Sequence, residues 1–160
     1  MIPMTVEVDV LKLSDSDLSP EKIVVNNSGL VRLQYIDDPD GILIIAETGK
    51  SLPLINFPRV YRRYVVNPDA KIGYHAHKET EQYIFCACGS FILHLDDGNK
   101  KQDILMDVPY IGVRLGQRLW HSMSNFVQNS MILVHASSLY DESDYIRDYQ
   151  QFLKYTKSGK

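Results

Sequence analysis

The sequence predicts an all-β domain, a sandwich or barrel, that ends in one α-helix. Short runs of alternating or β-branched residues recur between turn signals along most of the chain. Apolar side chains recur at helical spacing near the C-terminus. Eight or more strands at this spacing favour a sandwich or barrel over βαβ units. With 160 residues the chain has the length of about one domain, and it can bury a core without disulfides or a structural metal.

The strands are expected in order along the chain, separated by turns. Their predicted ranges are Val6–Leu13, Leu30–Ile36, Ile42–Ala46, Arg59–Val66, Tyr83–Cys88, Ser90–Leu95, Gln102–Met106, Tyr110–Val113 and Met131–Ala136. Tight turns are predicted at Asp37–Gly41 and Asp96–Asn99, because Asp, Asn, Pro and Gly favour turn conformations.

The C-terminal helix is predicted over Asp141–Tyr155. Tyr145, Tyr149 and Phe152 recur there at helical spacing. Acidic residues in the first turn suit the positive end of the helix dipole.

Composition and charge exclude several classes of protein. The net charge of −3, from 20 acidic and 17 basic residues, argues against a broad nucleic-acid surface. The N-terminal acids Glu7 and Asp9, with no apolar run of membrane-spanning length, argue against a signal peptide or a membrane protein. A cytoplasmic protein is therefore expected. Cys86 and Cys88 are expected to be buried free thiols in a reducing compartment.

The charge is unevenly distributed along the chain. Residues 1–50 hold nine acidic and four basic residues, a net charge of −5, so the remainder carries +2. An anion-binding site is therefore expected in the later part of the chain.

A histidine pattern is the clearest chemical signal. His75 and His77 lie at i and i+2, so on a strand they project to one face. Glu81 follows four residues after His77, and His121 comes later. This pattern resembles the two motifs of the cupin superfamily, in which three histidines and an acid can hold a transition metal. A bulge after His77 would turn Gln82 inward instead of Glu81. A metal-dependent cupin oxygenase is therefore one alternative.

A closer resemblance runs from about Tyr35 to Tyr155. The motifs that carry it are Arg59-Val60-Tyr61, Gly73-x-His75-Ala76-His77-Lys78, Gln82, Leu95-Asp96-Asp97-Gly98, Trp120-His121 and the C-terminal signature from Tyr140 to Phe152. They resemble the sugar-nucleotide 3,4-ketoisomerases, a cupin family that acts on dTDP-4-keto-6-deoxyglucose. The resemblance implies a dimeric cupin double-stranded β-helix, or jelly-roll barrel, with a C-terminal α-helix. Residues 31–156 would form the ketoisomerase domain, and residues 1–30 a diverged segment that packs on or extends the barrel.

The resemblance also implies a reaction. The keto group would move from C4 to C3 of a dTDP-linked 4-keto-6-deoxyhexose through an enediol, in deoxyamino-sugar biosynthesis, without a metal or other cofactor. His77 is the expected base at C3, with His75 and Tyr61 assisting proton transfer at the oxygens or at C4, although the assignment between the two histidines is nearly even. The expected partners are the dTDP-sugar and a second copy of the chain, with neither nucleic acid nor membrane.

Five further residues are expected to bind the substrate. Arg59 and Arg114 are candidates for the diphosphate, because guanidinium groups match phosphate geometry. Trp120 is a candidate for stacking on the thymine or the sugar, and its alternative is a place in the core. His121 and Gln82 complete this set.

The sequence departs from the family pattern at two positions. Ile72 stands where the family usually has an arginine before the Gly-x-His-Ala-His motif, and Asp40 replaces an arginine in an Asp-x-Arg-Gly motif. Three hypotheses follow: a different substrate, a diphosphate site rebuilt around Arg62 or Arg63, or a non-catalytic cupin that binds sugar nucleotides.

Overall fold

The structure is a computed structural model that describes residues 10–13, 18–52 and 56–158. The described residues form thirteen strands and one α-helix. The strands are β1 (Leu11–Lys12), β2 (Ser28–Arg32), β3 (Gln34–Asp38), β4 (Gly41–Ile45), β5 (Arg59–Val65), β6 (Ile72–His77), β7 (Gln82–Cys88), β8 (Phe91–Asp96), β9 (Lys101–Met106), β10 (Ile111–Leu115), β11 (Trp120–Ser124), β12 (Ser130–Ala136) and β13 (Tyr145–Ile146). The helix α1 spans Tyr149–Ser158, and short 3-10 turns lie at Pro20–Lys22 and Glu142–Asp144. Within the described ranges, no helix has the length and apolar character needed to cross a membrane.

Two sheets form the body of the molecule. One has six strands in the order β1-β9-β8-β11-β6-β13, and the other has five in the order β2-β10-β7-β12-β5. Neighbouring strands are antiparallel except for β1 and β9. Strands β3 and β4 form a separate hairpin. This arrangement confirms the predicted jelly-roll barrel with its C-terminal helix.

The main core lies between the two sheets. Alternate residues of each strand point inward, so Leu93 and Ile104 of one sheet meet Val113 and Ile132 of the other. Each of these four side chains is at most 3% exposed. The aliphatic core therefore holds the sheets together through burial of apolar surface.

A second cluster covers the outer face of the five-stranded sheet. Tyr83 and Phe85 of β7 point outward there and pack with Val31, Leu33 and Leu52. All five side chains are buried. Strand β7 is therefore covered on both faces.

The predicted helix over Asp141–Tyr155 is wrong in its first half. The Glu142–Asp144 segment is a 3-10 turn, capped by the Asp141 carboxylate, which accepts a hydrogen bond from the Ser143 amide. Strand β13 then pairs with the edge strand β6. Pairing with this open edge satisfies backbone groups that a helix would have bonded internally, so the helix begins only at Tyr149.

Three smaller predictions also change. The strand predicted over Leu30–Ile36 is divided between β2 and β3. Of the strand predicted over Val6–Leu13, the structure describes residues 10–13 and makes Leu11–Lys12 a strand, while residues 6–9 lie outside the described part. Both cysteines are free, but only Cys86 is buried. A register shift against β12 leaves Cys88 exposed.

Candidate functional site

A cavity of about 490 Å³ lies between the two sheets. It opens at the edge where β13 ends the six-stranded sheet and β5 ends the five-stranded sheet. Its wall is part apolar and part charged. The apolar residues are Ile72, Ile84, Met123, Ile132 and Val134, and the polar or aromatic ones are Arg59, Tyr61, Arg63, His75, His121, Tyr140, Tyr145 and Arg147. Both the volume and the few convergent polar groups are typical of small-molecule sites.

A β-bulge in β6 shapes one wall. The register between β6 and β11 shifts so that Tyr74 is an extra residue between Gly73 and His75. Ile72 and His75, three residues apart, therefore both line the cavity. Gly73 has φ +92°, and a Cβ there would lie 2.9 Å from the backbone oxygen of His121. The bulge therefore requires glycine at this position.

Three histidines pack together beside the cavity. The ring centroid of His75 lies 5.0 Å from that of His77 and 4.5 Å from that of His121. The ring of Tyr145 packs on both His75 and His77, at 4.9 Å and 4.4 Å. His75 and His121 line the cavity, whereas His77 is buried against two of the lining residues, His75 and Tyr145.

Burial keeps these histidines neutral at physiological pH. It lowers the pKa of His75 from 6.5 to about 4 and the pKa of His121 well below its ordinary value. Burial also lowers the pKa of His77, against the opposing effect of Asp144, whose Oδ2 lies 2.8 Å from His77 Nδ1. A neutral imidazole carries a free lone pair, so it can accept a proton.

Tyr61 reaches the cavity from β5 and is held by Gln82. The Gln82 Nε2 atom donates a hydrogen bond to the Tyr61 hydroxyl oxygen over 2.9 Å. Burial and the nearby Tyr145 raise the pKa of Tyr61, although Arg59 and Gln82 oppose this. Tyr61 is therefore a protonated phenol whose own proton remains available to a ligand.

Three arginines line the same cavity. Arg59 lies over the rings of Tyr61 and Tyr140, with its Cζ atom 5.5 Å and 5.8 Å from their centroids. Its buried Nε has no hydrogen-bond partner among the described residues. Arg147 is bonded to Glu142 through Nε and Nη2, at 2.7 Å and 3.0 Å. With Arg63, these groups form a cationic wall suited to phosphate.

Two of the predicted substrate-binding residues lie outside the cavity. Trp120 points to the opposite face of β11 from His121 and packs against Tyr149 and Phe152 of α1. Arg114 is absent from the cavity wall and lies 3.5 Å from a carboxylate oxygen of Glu81. The other predicted residues lie in or directly against the cavity wall.

The side chains around the histidines do not form the ligand set that a metal-dependent cupin requires. The Glu81 carboxylate pairs with Arg114, and Gln82 is the residue bonded to the wall at Tyr61. Across residues 10–13, 18–52 and 56–158, no three His, Cys, Asp or Glu side chains are arranged to hold a metal ion. The predicted set of His75, His77, Glu81 and His121 is therefore not assembled here.

Several residues of the cavity wall are not among those predicted from the sequence. Tyr145 and Arg147 belong to the C-terminal signature, but the helix predicted there gave them no place in the cavity. Asp144, which contacts His77 behind the wall, lies within the same wrongly predicted stretch of helix. The signal that was available is the density of polar and aromatic residues in the signature itself.

Comparisons with known proteins identify the family of this chain. The chain is 39% identical over 126 residues to the TDP-4-oxo-6-deoxy-alpha-D-glucose-3,4-oxoisomerase of Aneurinibacillus thermoaerophilus, which covers 79% of this chain and 90% of that protein. A histidine-to-asparagine variant of the 3,4-ketoisomerase QdtA from Thermoanaerobacterium thermosaccharolyticum, solved with TDP-4-keto-6-deoxyglucose, superimposes with a TM-score of 0.81. It is 31% identical, over 84% of this chain and 97% of that one.

A 3,4-ketoisomerase from Helicobacter canadensis is similar to the same extent. Its TM-score is 0.78 at 36% identity, and the match covers 82% of this chain and 98% of that one. The FdtA family, described as WxcM-like, C-terminal, matches residues 26–157. These relatives confirm the resemblance to sugar 3,4-ketoisomerases, and the chain belongs to the FdtA family.

Proposed function

We propose that this protein is a sugar 3,4-ketoisomerase, which moves the keto group of a TDP-linked 4-keto-6-deoxyhexose from C4 to C3. The observation that carries the proposal is one cavity that combines neutral histidines, a protonated tyrosine and three arginines. The name of the relative from Aneurinibacillus thermoaerophilus supports the substrate class. The isomerisation relocates protons within the sugar and needs no external oxidant or reductant. It therefore requires acid–base groups such as these.

The reaction proceeds by two proton relocations. A base removes the proton from C3 while the C4 carbonyl oxygen gains one, which gives an enediol. The C3 hydroxyl then loses its proton and C4 gains one, which leaves the carbonyl at C3. In this proposal His77 is the base at C3, and His75 and Tyr61 supply and accept protons at the oxygens or at C4. For the cycle to close, the proton that His77 takes from C3 passes through the adjacent ring of His75 to C4, while Tyr61 gives a proton to the C4 oxygen and regains one from the C3 hydroxyl. Each residue then ends the cycle in its starting protonation state.

The two histidines differ in their access to the cavity. His75 lines the wall, and His77 lies against His75 and Tyr145. Parallel variants therefore assign the roles. His77→Asn is expected to abolish exchange of the C3 proton with deuterated solvent, and His75→Asn to leave part of that exchange. The opposite pattern would make His75 the base.

The arginines support a diphosphate site built without the two family arginines. Ile72 places an apolar side chain on the cavity wall where the family usually has a cation. Arg59, Arg63 and Arg147 supply cations on other parts of the wall. The diphosphate is therefore proposed to lie along these three residues, which favours a rebuilt site over a loss of binding.

The test is incubation with dTDP-4-keto-6-deoxyglucose followed by NMR of the sugar. A new carbonyl at C3 is the expected result. His77→Asn is expected to remain folded and to lower turnover by about 10²–10⁴-fold, the usual contribution of a general base. Tight binding of the nucleotide sugar without turnover would instead support a non-catalytic binding protein, and turnover that requires added metal would support the metal-dependent alternative.

The active form is proposed to be a homodimer. The β3–β4 hairpin exposes Ile36, Ile42 and Leu43 at 46%, 51% and 58%, and the outer face of β5 exposes Val60 and Tyr64. Exposed apolar patches of this kind mark interfaces. Light scattering is expected to give twice the chain mass, and Leu43→Glu to shift it toward the monomer. A monomeric wild-type protein at micromolar concentration would refute the dimer.

The cytoplasm is the proposed site of this activity. Cys86 and Cys88 are both free thiols. Free thiols are typical of reducing compartments.

A further inference from the structure

The carboxylate of Asp144 is surrounded by hydrogen-bond donors. Its Oδ2 lies 2.8 Å from Nδ1 of His77 and accepts a hydrogen bond from Oγ1 of Thr80 over 2.6 Å. Its Oδ1 accepts a hydrogen bond from the backbone amide of Glu79 over 2.7 Å. Asp144 is held from two sides by groups other than His77, so its position does not depend on the histidine.

These contacts determine where the protons lie. Burial alone would raise the pKa of Asp144, but the bonds from Thr80, Glu79 and His77 lower it below its ordinary value, so the group is an ionised acceptor. The Nδ1 atom of His77 must then carry the hydrogen. Because burial lowers the pKa of His77, the ring is neutral and its Nε2 is bare. Nε2 is buried and has no hydrogen-bond partner among the described residues.

We propose that Asp144 is a positioning residue that fixes His77 in the tautomer with hydrogen on Nδ1, so that Nε2 keeps the lone pair that takes a proton. This inference rests on the proposed function for its catalytic consequence, and on the geometry alone for the tautomer. The link is specific to the C-terminal segment, since Asp144 immediately precedes β13, whose Tyr145 pairs with His77.

Other groups around His77 cannot replace Asp144. The neighbouring rings are those of two neutral histidines and a tyrosine, and the nearby charges are cationic. They are His75, His121, Tyr145, Arg59 and Arg147. Cations oppose protonation of the ring, so Asp144 is the group that favours a hydrogen on Nδ1.

The test combines nitrogen NMR with kinetics of Asp144→Asn. Two-bond proton–nitrogen spectra of ¹⁵N-histidine-labelled protein distinguish the two tautomers, and the His77 signals are identified by their loss in His77→Asn. The wild-type protein is expected to show hydrogen on Nδ1. In Asp144→Asn the side-chain amide can donate to Nδ1, so the hydrogen is expected to move to Nε2. Turnover should then fall by about 10²–10⁴-fold, with KM changed less than threefold and the acid limb of the pH–rate profile shifted to lower pH.

A matched control exists outside the barrel interior. Nδ1 of His94 lies 2.7 Å from Oδ1 of Asp103, so Asp103→Asn breaks an equivalent contact away from the cavity. This variant is expected to change the signals of His94 only and to leave turnover unchanged.

The outcomes separate the two claims. A wild-type His77 with hydrogen on Nε2, or an Asp144→Asn variant with unchanged turnover, would overturn the positioning role. The wild-type spectrum decides the tautomer even if Asp144→Asn does not fold. A wild-type protein that shows the expected tautomer but no isomerisation would contradict the proposed function and leave the tautomer assignment intact.

Discussion

Two histidine–aspartate pairs of nearly identical geometry lie on opposite faces of the same sheet. His77 and Asp144 are 2.8 Å apart and 3% and 11% exposed, whereas His94 and Asp103 are 2.7 Å apart and 34% and 26% exposed. The inner pair leaves Nε2 of His77 without a partner among the described residues. In the outer pair, the second ring nitrogen also has a hydrogen-bond partner, because Nε2 of His94 lies 2.6 Å from Oγ of Ser124.

Under the proposed mechanism, location rather than pairing distinguishes the reactive histidine, His77, from the structural one, His94. Inside the barrel, burial disfavours the imidazolium ion and the aspartate fixes one nitrogen only. On the outer face, both ring nitrogens already hold protein partners. Substitutions inside and outside the barrel should therefore have different effects on stability, substrate binding and thiol reactivity.

The largest expected effect is a dependence of stability on pH that comes from the interior histidines. The pKa of His75 is about 4 in the folded protein and 6.5 when unfolded, so between these values the unfolded chain binds more protons. The contribution of His75 to the free energy of unfolding is therefore greatest above pH 6.5, and it decreases as the pH falls from 6.5 toward 4. His75 alone accounts for up to about 3 kcal/mol of this decrease.

Urea unfolding between about pH 7.5 and 4.5 measures this decrease. His75→Gln is expected to reduce the slope of stability against pH. Val127→Gln, a change at an exposed residue between β11 and β12, is expected to leave that slope as it is. Equal slopes in the wild type and His75→Gln would mean that burial of His75 has no such energetic consequence.

The next effect concerns substrate binding by arginines inside and outside the cavity. Arg147 lines the cavity and Arg114 does not. Loss of a charge-assisted contact costs about 1.5–3 kcal/mol, so Arg147→Ala is expected to raise KM by about 10–150-fold. Arg114→Ala is expected to change KM by less than about twofold, since it removes a partly exposed ion pair with Glu81. Steady-state kinetics with the nucleotide sugar measure the KM of both variants. Comparable increases in KM would mean that Arg114 also binds the substrate.

The smallest effect is chemical and leaves stability almost unchanged. Burial raises the pKa of Cys86 to about 12, whereas Cys88 is exposed. A thiol reagent is expected to label one cysteine per native chain and two in denaturant. Cys88→Ser should remove the native labelling without altering the unfolding midpoint. Rapid labelling of two thiols in the native protein would mean that the barrel opens at β7.

Much of the site follows from strand periodicity. Arg59, Tyr61 and Arg63 alternate along β5, so one inward residue places the others. The same rule, applied from His121, turns its neighbour Trp120 outward. Because His121 is expected in the site, this alternation would have been enough to place Trp120 outside the cavity.

Other features depend on contacts that no local pattern encodes. One of them is whether Glu81 or Gln82 faces the cavity wall. This depends on which residues of β7 point inward relative to those of β6, and Gln82 is the one bonded to Tyr61. The C-terminal signature has helical spacing at Tyr145 and Tyr149, but the open edge of β6 draws the first of these into a strand. Tertiary pairing overrode local propensity there.

The division of the chain after residue 30 stays a prediction, and that boundary lies within β2, Ser28–Arg32.

The pairing of β13 with β6 also determines when, during synthesis, the contact between Asp144 and His77 can form. Strands β1 to β12 end at Ala136, and both sheets apart from β13 are therefore encoded before Asp144. Chains emerge from the ribosome N-terminus first. Both sheets apart from β13 can therefore be synthesised before the carboxylate that contacts His77. Under the proposed role of Asp144, a chain that stops before this residue is expected to lack isomerase activity.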